Sequence, residues 1–161
     1  MPGRDAAAIG SGFKRLTKPG QPVGRDVGRR CQRPRAALSS GIDTMKIRQV
    51  LADMRNCESL IEDETALREA AYAGAAAAGA TTIGEHAMRY VPHGITLIIF
   101  LAESHIMLTT WPEYRMVLVD ILLCNPDMSE DAAVDAVAAR LCPNGLVERS
   151  YVTRHIEPLP A

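Results

Sequence analysis

Residues 95–124 read ITLIIFLAESHIMLTTWPEYRMVLVDILLC, and this stretch decides the fold. Residues 95–102 are a continuous apolar run, the mark of a central strand. Residues 105–110 and 115–124 read as two more strands. Pro112 separates them as a turn, because proline has no N–H to give to a sheet ladder. Upstream, residues 81–89 read as a strand that ends at the Pro92-His93-Gly94 break.

The flanks supply two helices and two outer strands. Residues 64–79 begin with an acidic residue, Glu64, and place Leu67, Ala70, Ala71, Gly74, Ala75 and Ala78 on one side, with Gly79 as the stop. Gly74 within that helix costs about 1 kcal/mol relative to alanine. A small-residue face packed close to a sheet offsets the cost. Residues 129–141 form the second helix, with Glu130 and Asp131 at its start and Val134, Val137 and Leu141 inward. Pro143-Asn144-Gly145 ends it. Residues 47–55 and 146–156 read as the first and last strands.

The order is β-α-β-β-β-β-α-β. It predicts an α+β fold: a two-layer sandwich, mostly antiparallel sheet with two helices on one face. Aromatics are only 4% of the chain, so Ala, Leu, Ile, Val and Met must build the core. About 117 ordered residues leave the second sheet face in need of cover. A homodimer pairing sheets face to face, as a four-layer α/β/β/α assembly, provides it.

Residues 1–44 differ in kind. They hold nine Lys/Arg against three Asp and are rich in Gly and Pro, without periodicity. Such a segment cannot bury enough apolar surface to offset chain entropy. It reads as a disordered basic tail, or as an overlong start upstream of Met45, ahead of one domain over residues 45–161. An RNA-binding arm at residues 29–35 ranks lower, since no aromatics are interleaved to stack bases. Net charge of −1 favours neither nucleic acid nor membrane as partner. Cys31, Cys57, Cys124 and Cys142 show no zinc-ligand spacing, and no metal is expected. With no apolar signal core and no membrane-length run, the chain reads as cytoplasmic with reduced thiols.

The chemistry lies where two strands meet, at Glu103-Ser104-His105. A serine at a strained strand boundary can attack the carbonyl before it, exchanging the amide for an ester. β-Elimination then splits the chain, and the new N-terminus hydrolyses to a pyruvoyl group. That ketone forms a Schiff base with an amine and acts as an electron sink for decarboxylation. A thiol such as Cys124 can return the proton. Taken alone, a serine on a strand is far more often a polar surface position.

The motifs change that balance. Ala102-Glu103-Ser104-His105, Thr110-Trp111-Pro112-Glu113-Tyr114, Asp120 and Cys124, with Cys57, Ala71-Tyr72, Ala80-Thr81 and Pro92-x-Gly94 before them, resemble the prokaryotic S-adenosylmethionine decarboxylase proenzymes. The resemblance runs from about residue 47 to residue 156. It implies cleavage between Glu103 and Ser104, a pyruvoyl group derived from Ser104, and Cys124 as proton donor. It implies Glu113 on the ribose hydroxyls and Tyr90 stacked on adenine. The substrate would be S-adenosylmethionine, and the product the aminopropyl donor for spermidine biosynthesis.

Two positions depart from the family. Its processing histidine, five residues after the serine, is Thr109 here, and a processing serine is Thr96. Loss of a positioned base slows proton transfer by about 10²–10⁴-fold. His105 is expected to point away from Ser104, because consecutive strand residues face opposite sides. His86 and His93 are further candidates for the base, with a structural role the blander reading of all three. Two alternatives stay open: a pyruvoyl-dependent decarboxylase of ornithine or arginine, and an unprocessed, non-catalytic homologue. Cys57 and Cys142 read as small buried apolar residues. Trp111 reads as pocket wall or core beside Pro112, and Met107 and Met116 as core filler.

Overall fold

Six strands pair in the order β2-β3-β4-β5-β1-β6, every neighbour antiparallel, in the computed structural model, which describes residues 44–157. The strands are β1 (Met45–Arg55), β2 (Thr82–Arg89), β3 (Ile95–Leu101), β4 (Ser104–Trp111), β5 (Met116–Leu123) and β6 (Leu146–Ile156). Helix α1 (Glu64–Ala78) follows β1, and α2 (Glu130–Leu141) follows β5. The expected tail lies outside the described residues, apart from Thr44.

Both helices are capped as their sequences dictate. Asp63 accepts the Thr65 N–H at the start of α1, and Gly79 closes it at φ 74°, a conformation that favours glycine. Ser129 accepts the Ala132 N–H and starts α2. Two 3₁₀ turns, Ser59–Glu62 and Pro112–Tyr114, were not anticipated; the second is the Pro112 turn tightened to a helical one.

The core lies between helices and sheet. Alternate residues of the inner strands, such as Leu97, Ile99, Ile106, Leu108, Val119 and Ile121, are fully or almost fully buried. They meet Leu67 and Ala71 of α1 and Val134 and Leu141 of α2. Each buried Leu or Ile side chain contributes roughly 1.5–3 kcal/mol of hydrophobic stabilisation. The opposite sheet face carries no helix. Met107, Thr109, Met116, Leu118 and Leu122 are half-buried there, and Phe100 and Trp111 are exposed.

Three details depart from expectation. A Cβ at Gly74 would stand 3.0 Å from Val137 Cγ2 and 3.2 Å from the Ala133 carbonyl oxygen, so the small residue serves chiefly the α1–α2 contact. Met107 and Met116 lie on the helix-free face instead of in the core, because strand alternation turns them away from the helices. Trp111, at the end of β4, is 43% exposed and is no core residue.

Candidate active site

Ser104 opens β4 directly after a two-residue connection, Ala102-Glu103, that joins it to β3. Its φ of 153° falls in the half of conformational space that side-chain-bearing residues avoid. Neighbouring bonds hold it there. The Ala102 N–H donates to the Thr81 carbonyl at 2.9 Å, and the Glu103 carboxylate accepts the Thr81 N–H at 3.0 Å. Ser104 pairs with Leu101 on one side and Leu123 on the other.

The Glu103 carbonyl oxygen accepts the backbone N–H of Cys124 at 3.1 Å. Negative charge developing on that oxygen during attack by Ser104 would meet a donor already in place. Cys124 follows the last residue of β5, and its side chain is exposed. Glu103, Ser104 and the Cys124 thiol therefore share one end of the sheet.

His105 contradicts its expected direction. Its Nδ1 stands 3.3 Å from Ser104 Oγ, because the unusual φ at Ser104 breaks the alternation of strand side chains. Its Nε2 lies 3.7 Å from Asp120 Oδ1, on the neighbouring strand. Gln49 of β1 donates to the same Asp120 oxygen at 2.6 Å. Arg154 of β6 donates to Gln49 Oε1 at 3.0 Å. Gln49 and Arg154 went unnoticed in the sequence. The signal was Asp120 itself, a carboxylate inside an apolar strand.

The other candidates gather at the opposite end of β4. Thr109 lies beside Thr96, their hydroxyl oxygens 3.2 Å apart. Glu113 sits in the Pro112–Tyr114 turn, where its carboxylate meets His93 Nε2 at 3.2 Å. Tyr90 is exposed in the β2–β3 connection, and its N–H donates to the Gly94 carbonyl. Strands rise about 3.3 Å per residue, so the Glu113 end lies more than ~20 Å from Ser104 within one chain. One copy thus brings Ser104, His105 and Cys124 together, but not Glu113 or Tyr90.

Away from both ends, Cys57 and Cys142 are buried with their sulfurs 2.7 Å apart. Burial, then the bond to Cys142, pushes the Cys57 thiol up to about 12. A cavity lined by Cys57, Glu58, Ile61, Glu62, Pro112 and Arg115 lies beside this pair and includes neither Glu103 nor Ser104.

An antiparallel sheet with two helices on one face, bearing a serine of unusual backbone at a hairpin, defines a specific kind of two-layer α+β protein. The family model described as S-adenosylmethionine decarboxylase matches residues 48–155. The chain belongs to the S-adenosylmethionine decarboxylase family. It is 34% identical over 103 residues to the S-adenosylmethionine decarboxylase proenzyme of Hydrogenobaculum sp., covering 63% of this chain and 77% of that protein. It is 33% identical over 86 residues to the proenzyme of the same name from Thermosipho melanesiensis, covering 50% of this chain and 63% of the relative, a little under two thirds of its length. The crystal structure of the adenosylmethionine decarboxylase from Aquifex aeolicus superimposes with a TM-score of 0.62 at 28% identity, covering 74% of this chain and 98% of that one.

Proposed function

We propose that the chain cleaves itself between Glu103 and Ser104 and then decarboxylates S-adenosylmethionine, yielding the aminopropyl donor for spermidine biosynthesis. The observation that carries this reading is local. Ser104, at φ 153°, follows a carbonyl whose oxygen already accepts the Cys124 N–H. Backbone strain and a preset donor are what an N→O acyl shift needs. The names of the relatives support the same reading.

Self-cleavage proceeds without an external reagent until its last stage. Ser104 Oγ bonds to the Glu103 carbonyl carbon, the Glu103–Ser104 amide bond breaks, and the Ser104 nitrogen takes a proton. Loss of the Ser104 α-proton then expels Glu103 as a carboxylate. Water replaces the nitrogen, releasing ammonia and leaving the ketone. When formed, the pyruvoyl group supplies an electron sink for loss of the substrate carboxylate. Cys124 holds the proton that takes the place of CO₂. Glu113 accepts hydrogen bonds from the ribose hydroxyls, and the Tyr90 ring offers a face to adenine.

A complete site requires two copies, because Glu113 and Tyr90 lie too far from Ser104 of the same chain. Pairing the helix-free faces, with strands reversed, sets the Glu113 end of one copy over the Ser104 end of the other. The half-buried apolar side chains on that face support a homodimer of cleaved chains.

Intact mass of the purified protein tests the reading. Processing is expected to give a 58-residue fragment, residues 104–161, with a carbonyl trapped by hydrazine. Labelled CO₂ is then expected from S-adenosylmethionine and not from ornithine or arginine. A single uncleaved polypeptide without a trappable carbonyl would identify a non-catalytic homologue. CO₂ from a basic amino acid alone would overturn the substrate.

A further inference from the structure

Ser104 must lose its hydroxyl proton to attack, and position 109 cannot receive it within one chain. Five residues of strand separate the two, roughly 16 Å. Thr109 is a neutral hydroxyl, placed against Thr96. His105 is the histidine whose ring reaches the Ser104 hydroxyl. Within one chain, His93 meets Glu113 at the other end of β4, His86 lies two strands away on β2, and His155 lies on the edge strand β6.

The surroundings of His105 set its proton. Asp120, 3.7 Å from Nε2, favours a hydrogen on that nitrogen and leaves the Nδ1 lone pair toward Ser104 Oγ. Asp120 is itself fixed by Gln49, and Gln49 by Arg154, so the support reaches across three strands. An imidazole with one nitrogen facing a hydroxyl and a carboxylate beside the other is the arrangement used to activate a serine elsewhere.

We propose that His105, oriented by Asp120, is the base that takes the Ser104 proton and so replaces the missing family histidine. This rests on the self-cleavage reading above. The step balances internally. The proton passes from Ser104 Oγ to His105 Nδ1 as the Oγ–carbonyl bond forms. It passes on to the Ser104 nitrogen as the amide bond breaks, leaving imidazole neutral and Glu103 esterified.

The experiment follows the conversion of the full chain to its 58-residue fragment by intact mass, for wild type, His105→Ala and His105→Gln. Cleavage is expected to slow by about 10²–10⁴-fold in both variants, which stay soluble and folded by circular dichroism. Added imidazole is expected to restore cleavage in His105→Ala. For the positioning role of Asp120, ring ¹⁵N shifts of His105 in an uncleavable Ser104→Ala background should show the Nε2–H tautomer, lost on adding Asp120→Asn. Wild-type rates in either His105 variant would overturn the proposal, as would folded His105→Ala that imidazole fails to rescue. A wild type that never cleaves would overturn the self-cleavage reading itself, visible without any variant.

Discussion

The Glu103 carbonyl oxygen and the Cys124 backbone N–H are hydrogen-bonded at 3.1 Å, so one residue would serve both of the proposed events. Its amide faces the bond proposed to be cut, while its thiol is exposed.

Cys124→Ala separates those roles. The amide donor survives the substitution, so the 58-residue fragment should still appear. The proposed proton donor does not survive, so CO₂ release should fall by about 10²–10⁴-fold. Failure of Cys124→Ala to cleave would place the thiol in processing as well.

Glu113→Gln acts at the other end of β4. It removes the charge that meets His93 and that is proposed to hold ribose hydroxyls. Loss of a charge-assisted hydrogen bond weakens substrate binding by about 1.5–3 kcal/mol, a KM rise of roughly 10–150-fold. The extent of cleavage should not change. Steady-state kinetics on fully processed protein measures the first, and intact mass the second.

The Cys57 thiol carries a pH signature. Its ordinary value of 9.0 is raised in the folded protein to about 12, first by burial and then by the bond to Cys142. The folded state keeps the proton where the unfolded state has lost it. Stability from this group is therefore fully present below about pH 9 and is lost as pH climbs toward 12. Urea midpoints at successive alkaline pH values should fall across that window, and less steeply in Cys57→Ala. At neutral pH, iodoacetamide should label Cys124 in the native protein and spare Cys57 and Cys142.

Much of this architecture was legible from side-chain pattern alone. Strand and helix ends fell within two residues of their expected positions wherever proline, glycine or an acidic first turn marked them, as at Gly79 and Ser129. The order of strands across the sheet was not legible, because hydrophobic period says which residues face inward and not which strand neighbours which. The contact between the His105 ring and the Ser104 hydroxyl was missed for a sharper reason. Period-two alternation assumes extended backbone, and Ser104 at φ 153° departs from it. The ladder Arg154–Gln49–Asp120–His105 joins residues up to 105 positions apart, a relation that only pairing of β6, β1, β5 and β4 creates. Gly74 shows the same limit: its sequence context required a close neighbour, and only the fold revealed that neighbour as α2.

Leu118→Lys tests the division of labour between one copy and two. Leu118 sits half-buried in β5 on the helix-free face, away from the core and opposite Thr109. A lysine there finds solvent in a monomer, but a desolvated ammonium between two sheets would cost several kcal/mol. The variant should therefore elute as a monomer with an unchanged circular dichroism spectrum. Ser104, His105 and the Cys124 amide all come from the same chain, so the monomer should still cleave itself. It should release no CO₂, because Glu113 and Tyr90 of a second copy are missing from the site. Light scattering, intact mass and CO₂ release on one preparation decide the matter. A monomer that decarboxylates at the wild-type rate would mean that each chain builds its whole site alone.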